Sequence, residues 1–77
     1  VPGIEVEGFR IVVYTRDERG HKPHVHIIKD REKCKIILDA SLEPYDIRMS
    51  RQHVSRAREL VGEHFGKLVR LWEKFNG

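Results

Sequence analysis

The 77-residue chain carries 15 Lys and Arg against 12 Asp and Glu, so its formal net charge is +3 with five His neutral. A chain of this length buries only about 60% of the surface its unfolded form exposes, which leaves one small domain over residues 1–77 and excludes a two-domain enzyme, a dinucleotide fold or a barrel with a deep cavity. A single Cys34 excludes an internal disulfide framework and a multi-cysteine zinc site, and with no long apolar run or signal-like segment the expected compartment is a reducing cytoplasm, without membrane insertion.

Taken in chain order, Val1 to Gly8 reads as a lead-in punctuated by Pro2, Gly3 and Gly8. Phe9 to Thr15 is rich in β-branched and aromatic residues and predicts a strand. A charged connection runs from Arg16 to Pro23, and because Pro23 cannot donate to a ladder the next strand starts after it, over His24 to Lys29. Asp30 to Lys33 reads as a polar turn, Cys34 to Asp39 as a third strand, and Tyr45 to Arg48 as a short fourth strand at an edge. Connections this short favour antiparallel hairpins, since a parallel pair needs a crossover of a dozen or more residues.

Alternation then sorts the faces. Val25 and Ile27 point one way with Phe9, Ile11, Val13, Cys34, Ile36 and Leu38, and make a cleanly apolar face that can take a helix. The opposite face mixes Val12, Tyr14, Ile28 and Ile37 with His24 and His26. That is more apolar than a freely solvated face requires, and such a face often marks a partner surface or shallow groove.

From Ser50 the period becomes helical, with Ser50 as N-cap and Val54, Ala57, Val61, Phe65, Leu68, Trp72 and Phe75 on one arc. Glu63 and Lys67 are spaced as a favourable pair on the outer side. One helix to Phe75 would run about 39 Å, while six-residue strands span about 20 Å. The mismatch predicts a break near His64 to Gly66 and two helices, or a homodimer that buries the overhang. The expected fold is α+β: a three- to four-stranded antiparallel meander with a C-terminal helix or helix pair packed on one face.

The densest chemical signal is the run His21-Lys22-Pro23-His24-Val25-His26. Residues i and i+2 on a strand project to the same side, about 6 to 7 Å apart. Imidazoles there can donate to phosphate, serve as general base and acid near neutral pH, or bind a transition metal. A metal needs further ligands, for which His21, Asp39 and Asp17 are the candidates; no other cofactor is implied. The plainer reading leaves His24 and His26 as half-exposed residues filling a mixed face. A second signal is charge: Arg48, Arg51, Arg56 and Arg58 occur between Ile47 and Arg58 with no acid among them. Arginine beside a helix N-terminus suits phosphate or carboxylate, though a solvated face with local ion pairs explains the same run. These signals nominate His21, His24, His26, Arg48 and Arg51 for partner or nucleic-acid binding. Cys34, Trp72 and Phe75 read as core.

Gly8-Phe9-Arg10-Ile11, Tyr14 and the segment Lys22-Pro23-His24-Val25-His26-Ile27 resemble the opening of a prokaryotic family, the domain of unknown function 4160, whose hallmark is a Pro-Pro-His-x-His-Val-like segment after a charged loop. Cys34 to Leu38, Met49-Ser50-Arg51 and the closing Leu71 to Gly77 are similar too, so the resemblance spans essentially the whole chain. Lys22 departs from it by replacing the first of the two prolines, which loosens the approach to the strand but leaves His24 and His26 in place. The family has no established activity. The resemblance implies one half of a two-gene module similar to toxin–antitoxin pairs, with His24 and His26 tied most closely to function. On that reading the chain binds a small cognate protein or RNA through the mixed face. The alternatives are a metal-independent ribonuclease, with His24 or His26 as general base and Arg48 or Arg51 stabilising the phosphorane charge, and a His-based metal-binding protein.

Overall fold

A computed structural model describes residues 2–14 and 22–76. They form an α+β fold in which a five-stranded antiparallel sheet, β1 (Gly3–Val6), β2 (Phe9–Val12), β3 (His24–Lys29), β4 (Glu32–Ile37) and β5 (Pro44–Arg48), precedes two helices, α1 (Arg51–Glu63) and α2 (Phe65–Asn76). The strands lie side by side in chain order, so the sheet is a simple meander.

The expected lead-in is in fact the first strand. Ile4 and Val6 alternate with Gly3 and Glu5 and pair with Ile11 and Phe9 across a two-residue turn. Glu7 and Gly8 both take positive φ, 52° and 80°, the conformation that matches a tight turn to the right-handed twist of a hairpin. Asp30 does similar work between β3 and β4, with φ of 55°. The polar turn therefore shrinks to Asp30-Arg31, and Glu32 and Lys33 join β4. The predicted edge strand is present as β5, and it is bulged: Lys33 faces Arg48 and Lys35 faces Tyr45, so β5 carries one residue more than its partner over this stretch. Asp46, at φ 50°, takes up the extra residue.

One face of the sheet and the arc of the helices enclose the core. Ile11, Val13, Val25, Ile27 and Ile36 pack with Ala57, Leu60, Val61 and Leu68, all almost wholly excluded from solvent. Thirteen residues of α1 span about 20 Å, the length of the sheet it covers. The helix then breaks at His64, within the predicted window, where φ and ψ of −110° and 20° leave the helical path. The break costs few hydrogen bonds. The His64 amide and ring Nδ1 both donate to the Leu60 carbonyl, at 3.1 and 2.9 Å, and the His64 carbonyl accepts from Leu68 at 3.0 Å. Leu68 thereby returns to the core, Leu71 and Trp72 flank it, and Phe75, expected inside, is 36% exposed with Lys74 over its ring.

Two local networks tie the helix to the sheet. Glu32 accepts from the Ser50 amide at 2.5 Å and from His53 Nδ1 at 2.6 Å, while the Ser50 hydroxyl caps the His53 amide. A carboxylate at the start of α1 suits the positive end of the helix dipole. The Ser50 amide, then His53, holds the Glu32 carboxyl below its ordinary range. Arg56 forks onto both carboxylate oxygens of Glu7 and reaches Glu59 and Glu63, fixing the first hairpin to α1. Glu63 thus pairs with Arg56 instead of Lys67.

Candidate groove on the second face of the sheet

The residues of opposite parity build the second face. His26 on β3 is flanked by Val12 on β2 and Lys35 on β4, and Ile28 by Arg10 and Lys33. Lys33 lies beside Arg48 and Lys35 beside Tyr45 on β5. Arg10, Lys33 and Arg48 are exposed, and Lys35 and His26 half-buried. Tyr14, His26, Ile28, Lys33, Lys35, Asp46 and Arg48 surround a groove of about 260 Å³. Tyr14, 38% exposed, meets the His26 ring edge-on at 4.5 Å between centroids.

The β5 bulge gives this groove its single carboxylate. Its extra residue swings Asp46 in to meet Lys35 at 3.4 Å, while Ile47 stays 50% exposed beside it. Lys35 also lies 5.8 Å from the Tyr45 ring. Cations on two neighbouring strands, β4 and β5, thus converge around two aromatic rings and an apolar floor. The arrangement can hold an extended anionic chain, with charge taken up by Lys33, Lys35 and Arg48 and rings available to stack.

The two histidines of the Pro-His-x-His segment play different parts. Their rings are neighbours, 5.2 Å apart, yet only His26 opens into the groove. His24 is 2% exposed, packed against Trp72 at 5.2 Å and Tyr45 at 6.1 Å. Its Nδ1 donates to the Lys22 carbonyl at 2.9 Å. The end of α2 brings Trp72 here, and Asn76 Nδ2 donates to the Tyr14 carbonyl at 3.1 Å. Trp72 thus reaches from the core side to the His24 ring, which buries the first imidazole. Accessible imidazole chemistry falls to His26.

The arginine run divides in the same way. Arg56 is engaged by Glu7, and Arg58 donates to the carbonyls of Leu42 and Ser41 at 3.0 and 3.1 Å. Both hold the fold together. Arg51 is exposed at the first position of α1 and does not line the groove, whereas Arg48 does. Alternation already puts Arg10 and Lys35 on the second face, but neither is among the nominated residues, and Lys33, read as part of a turn, joins them there. Their parity with His26 was the available signal.

The other nominated ligands do not complete a metal set. His21 and Asp17 lie outside the described residues, and Asp39 accepts from the Ser41 amide and hydroxyl, at 2.8 and 2.5 Å, in the loop after β4. No three His, Cys, Asp or Glu side chains converge among the described residues. Cys34 is buried, its thiol 3.9 Å from Met49 Sδ and pushed up by desolvation to about 11, which keeps it protonated at neutral pH. No helix among the described residues is long and apolar enough to cross a membrane.

Comparison with curated proteins and with solved structures finds no match. A family model does match, over residues 8–73, which takes in β2 to β5, α1 and most of α2. The chain belongs to the family described as a domain of unknown function (DUF4160).

Proposed function

We propose that this chain is a binding module whose second sheet face holds single-stranded RNA. The observation that carries the reading is the convergence of Lys33, Lys35 and Arg48 around the rings of Tyr14 and His26 in one groove. Single strands bind such faces by stacking bases on aromatic side chains and laying phosphates against cations, at about 1–3 kcal/mol per stacked base. A duplex keeps its bases stacked inside and offers this groove only its backbone. With three cations on the phosphates, log affinity should fall with log salt at a slope of about −2.

Fluorescence anisotropy with a labelled oligoribonucleotide tests this directly. The single strand should bind more tightly than its duplex, and Lys33→Glu with Arg48→Glu should weaken it at least about tenfold, the equivalent of 1.4 kcal/mol. No binding of the single strand at low salt defeats the proposal. The same labelled strand reports cleavage. If His26 acts as general base in a ribonuclease, His26→Ala stops cleavage while the strand still binds.

A second reading follows from exposed Ile47 beside Arg48, an apolar contact that RNA phosphates do not use. In a two-gene, toxin–antitoxin-like module the same face would hold a small acidic cognate protein. Co-expression with the adjacent gene product tests it: a complex that survives purification and is lost on Ile47→Asp supports this reading over RNA.

A further inference from the structure

The outer edge of β1 has a hydrogen-bonding pattern of its own. β1 ends the strand order, and the Val13 amide donates to the Pro2 carbonyl at 2.8 Å. That bond sets the phase of the ladder. In an antiparallel pair the directly opposed residues alternate between bonded and non-bonded, so with Pro2–Val13 bonded, Ile4–Ile11 and Val6–Phe9 are bonded too. Gly3–Val12 and Glu5–Arg10 are the non-bonded pairs, and the amides and carbonyls of Gly3 and Glu5 therefore point away from the sheet.

The two edges of the sheet are not equivalent. β5 begins at Pro44 and is bulged at Asp46, which takes positive φ, two devices that blunt an edge against further pairing. β1 has no proline, no register shift and no positive φ between Gly3 and Val6. The register holds unbroken from Gly3, which lies close against the Ile11 carbonyl of β2, to Val6, and Ile4 and Val6 are half-buried on the core side.

We propose that the outer edge of β1 pairs antiparallel with the same edge of a second copy of this chain. A two-fold axis through Ile4 sets Gly3 opposite Glu5 of the second copy and Glu5 opposite its Gly3, each pair exchanging both of its bonds. The outward groups are spaced to complement themselves, so the occupant needs no feature the chain lacks. The two Ile4 side chains meet on the core side. On the second face each Glu5 lies opposite a glycine, with Arg10 of its own hairpin on the other side as counter-charge. Blunting of β5 excludes a head-to-tail pairing of β1 with β5, so association closes at the dimer and does not run on into fibres.

Sedimentation equilibrium across a concentration series tests the proposal. The chain should rise from its 9.1 kDa mass toward twice that value with concentration. Glu5→Pro should remain at the single-chain mass at every concentration, because the ring replaces an outward amide while the bonds to β2 persist. Glu5→Ala keeps that amide and should still double. A wild-type chain of constant 9.1 kDa mass overturns the proposal, as does a Glu5→Pro variant that doubles like wild type. Should Glu5→Pro lose its fold, amide exchange on the wild type decides: the Gly3 and Glu5 amides should slow as concentration rises. Unchanged exchange where the mass has doubled overturns it.

Discussion

The two faces of one sheet are built from alternate residues of the same strands, and they solve opposite problems. Val25 and Ile27 leave solvent completely, whereas His26, one bond away from both, borders a charged groove. The same division runs through the arginines. Arg56 and Arg58 bind the chain to itself, and Arg48, on a strand, is left for something else. Residue type is thus a poor guide to role here; parity sorts most positions, and for His24, which shares strand and parity with His26, the arrival of Trp72 decides it.

Substitutions on the two faces should separate stability from binding. The largest effect is expected at Leu68, whose side chain anchors α2 in the core: Leu68→Ala should cost about 2–5 kcal/mol in denaturant unfolding. His24 comes next, because it belongs to the packed part of the molecule although its parity is that of the groove. His24→Ala strands the Lys22 carbonyl and opens space beside Trp72, for about 1–3 kcal/mol. The neighbouring His26→Ala and Lys33→Ala should shift stability by less than about 0.5 kcal/mol, while Lys33→Ala weakens RNA binding. Equal losses at His24 and His26 would erase the distinction between them.

Acid provides the smallest effect. Glu32 is held below its ordinary carboxylate value of 4.5, chiefly by the Ser50 amide and then by His53. Between the lowered folded value and 4.5 the unfolded chain binds more protons than the folded one, so stability rises with pH there. The contribution is fully present above 4.5 and is lost as pH falls through the folded value. Thermal melts of Glu32→Gln should show a shallower decline over that interval than wild type.

Much of this was legible in the sequence, for identifiable reasons. The β-branched run at Ile11 to Val13, the alternation from His24 to Lys29 and the arc from Val54 to Leu68 each carry the period of their element. The length mismatch between helix and strands leaves a break or a homodimer open, and the turn at His64 is the outcome. β1 was hidden because four residues flanked by glycines read as punctuation, although Glu7-Gly8 between Val6 and Phe9 is itself a hairpin signal. The groove was half-visible. His26 announces it, but Lys33 falls in the turn that the sequence predicts, and the β5 bulge that delivers Asp46 depends on a register that spacing does not encode. Burial of His24 was out of reach, because Trp72 lies 48 positions along the chain and arrives only after the turn at His64.

Asp46 sets the terms on which this groove accepts anything. Anions approaching Lys35 find its charge already answered by a carboxylate of the same chain, so they must displace a resident competitor before they gain from the lysine. Isolated carboxylates and single phosphates have little with which to do so. If the groove holds RNA as proposed, a strand with several linked phosphates would take Lys33 and Arg48 first and unseat Asp46 afterwards, so the bulge would favour a polymer over a single anion.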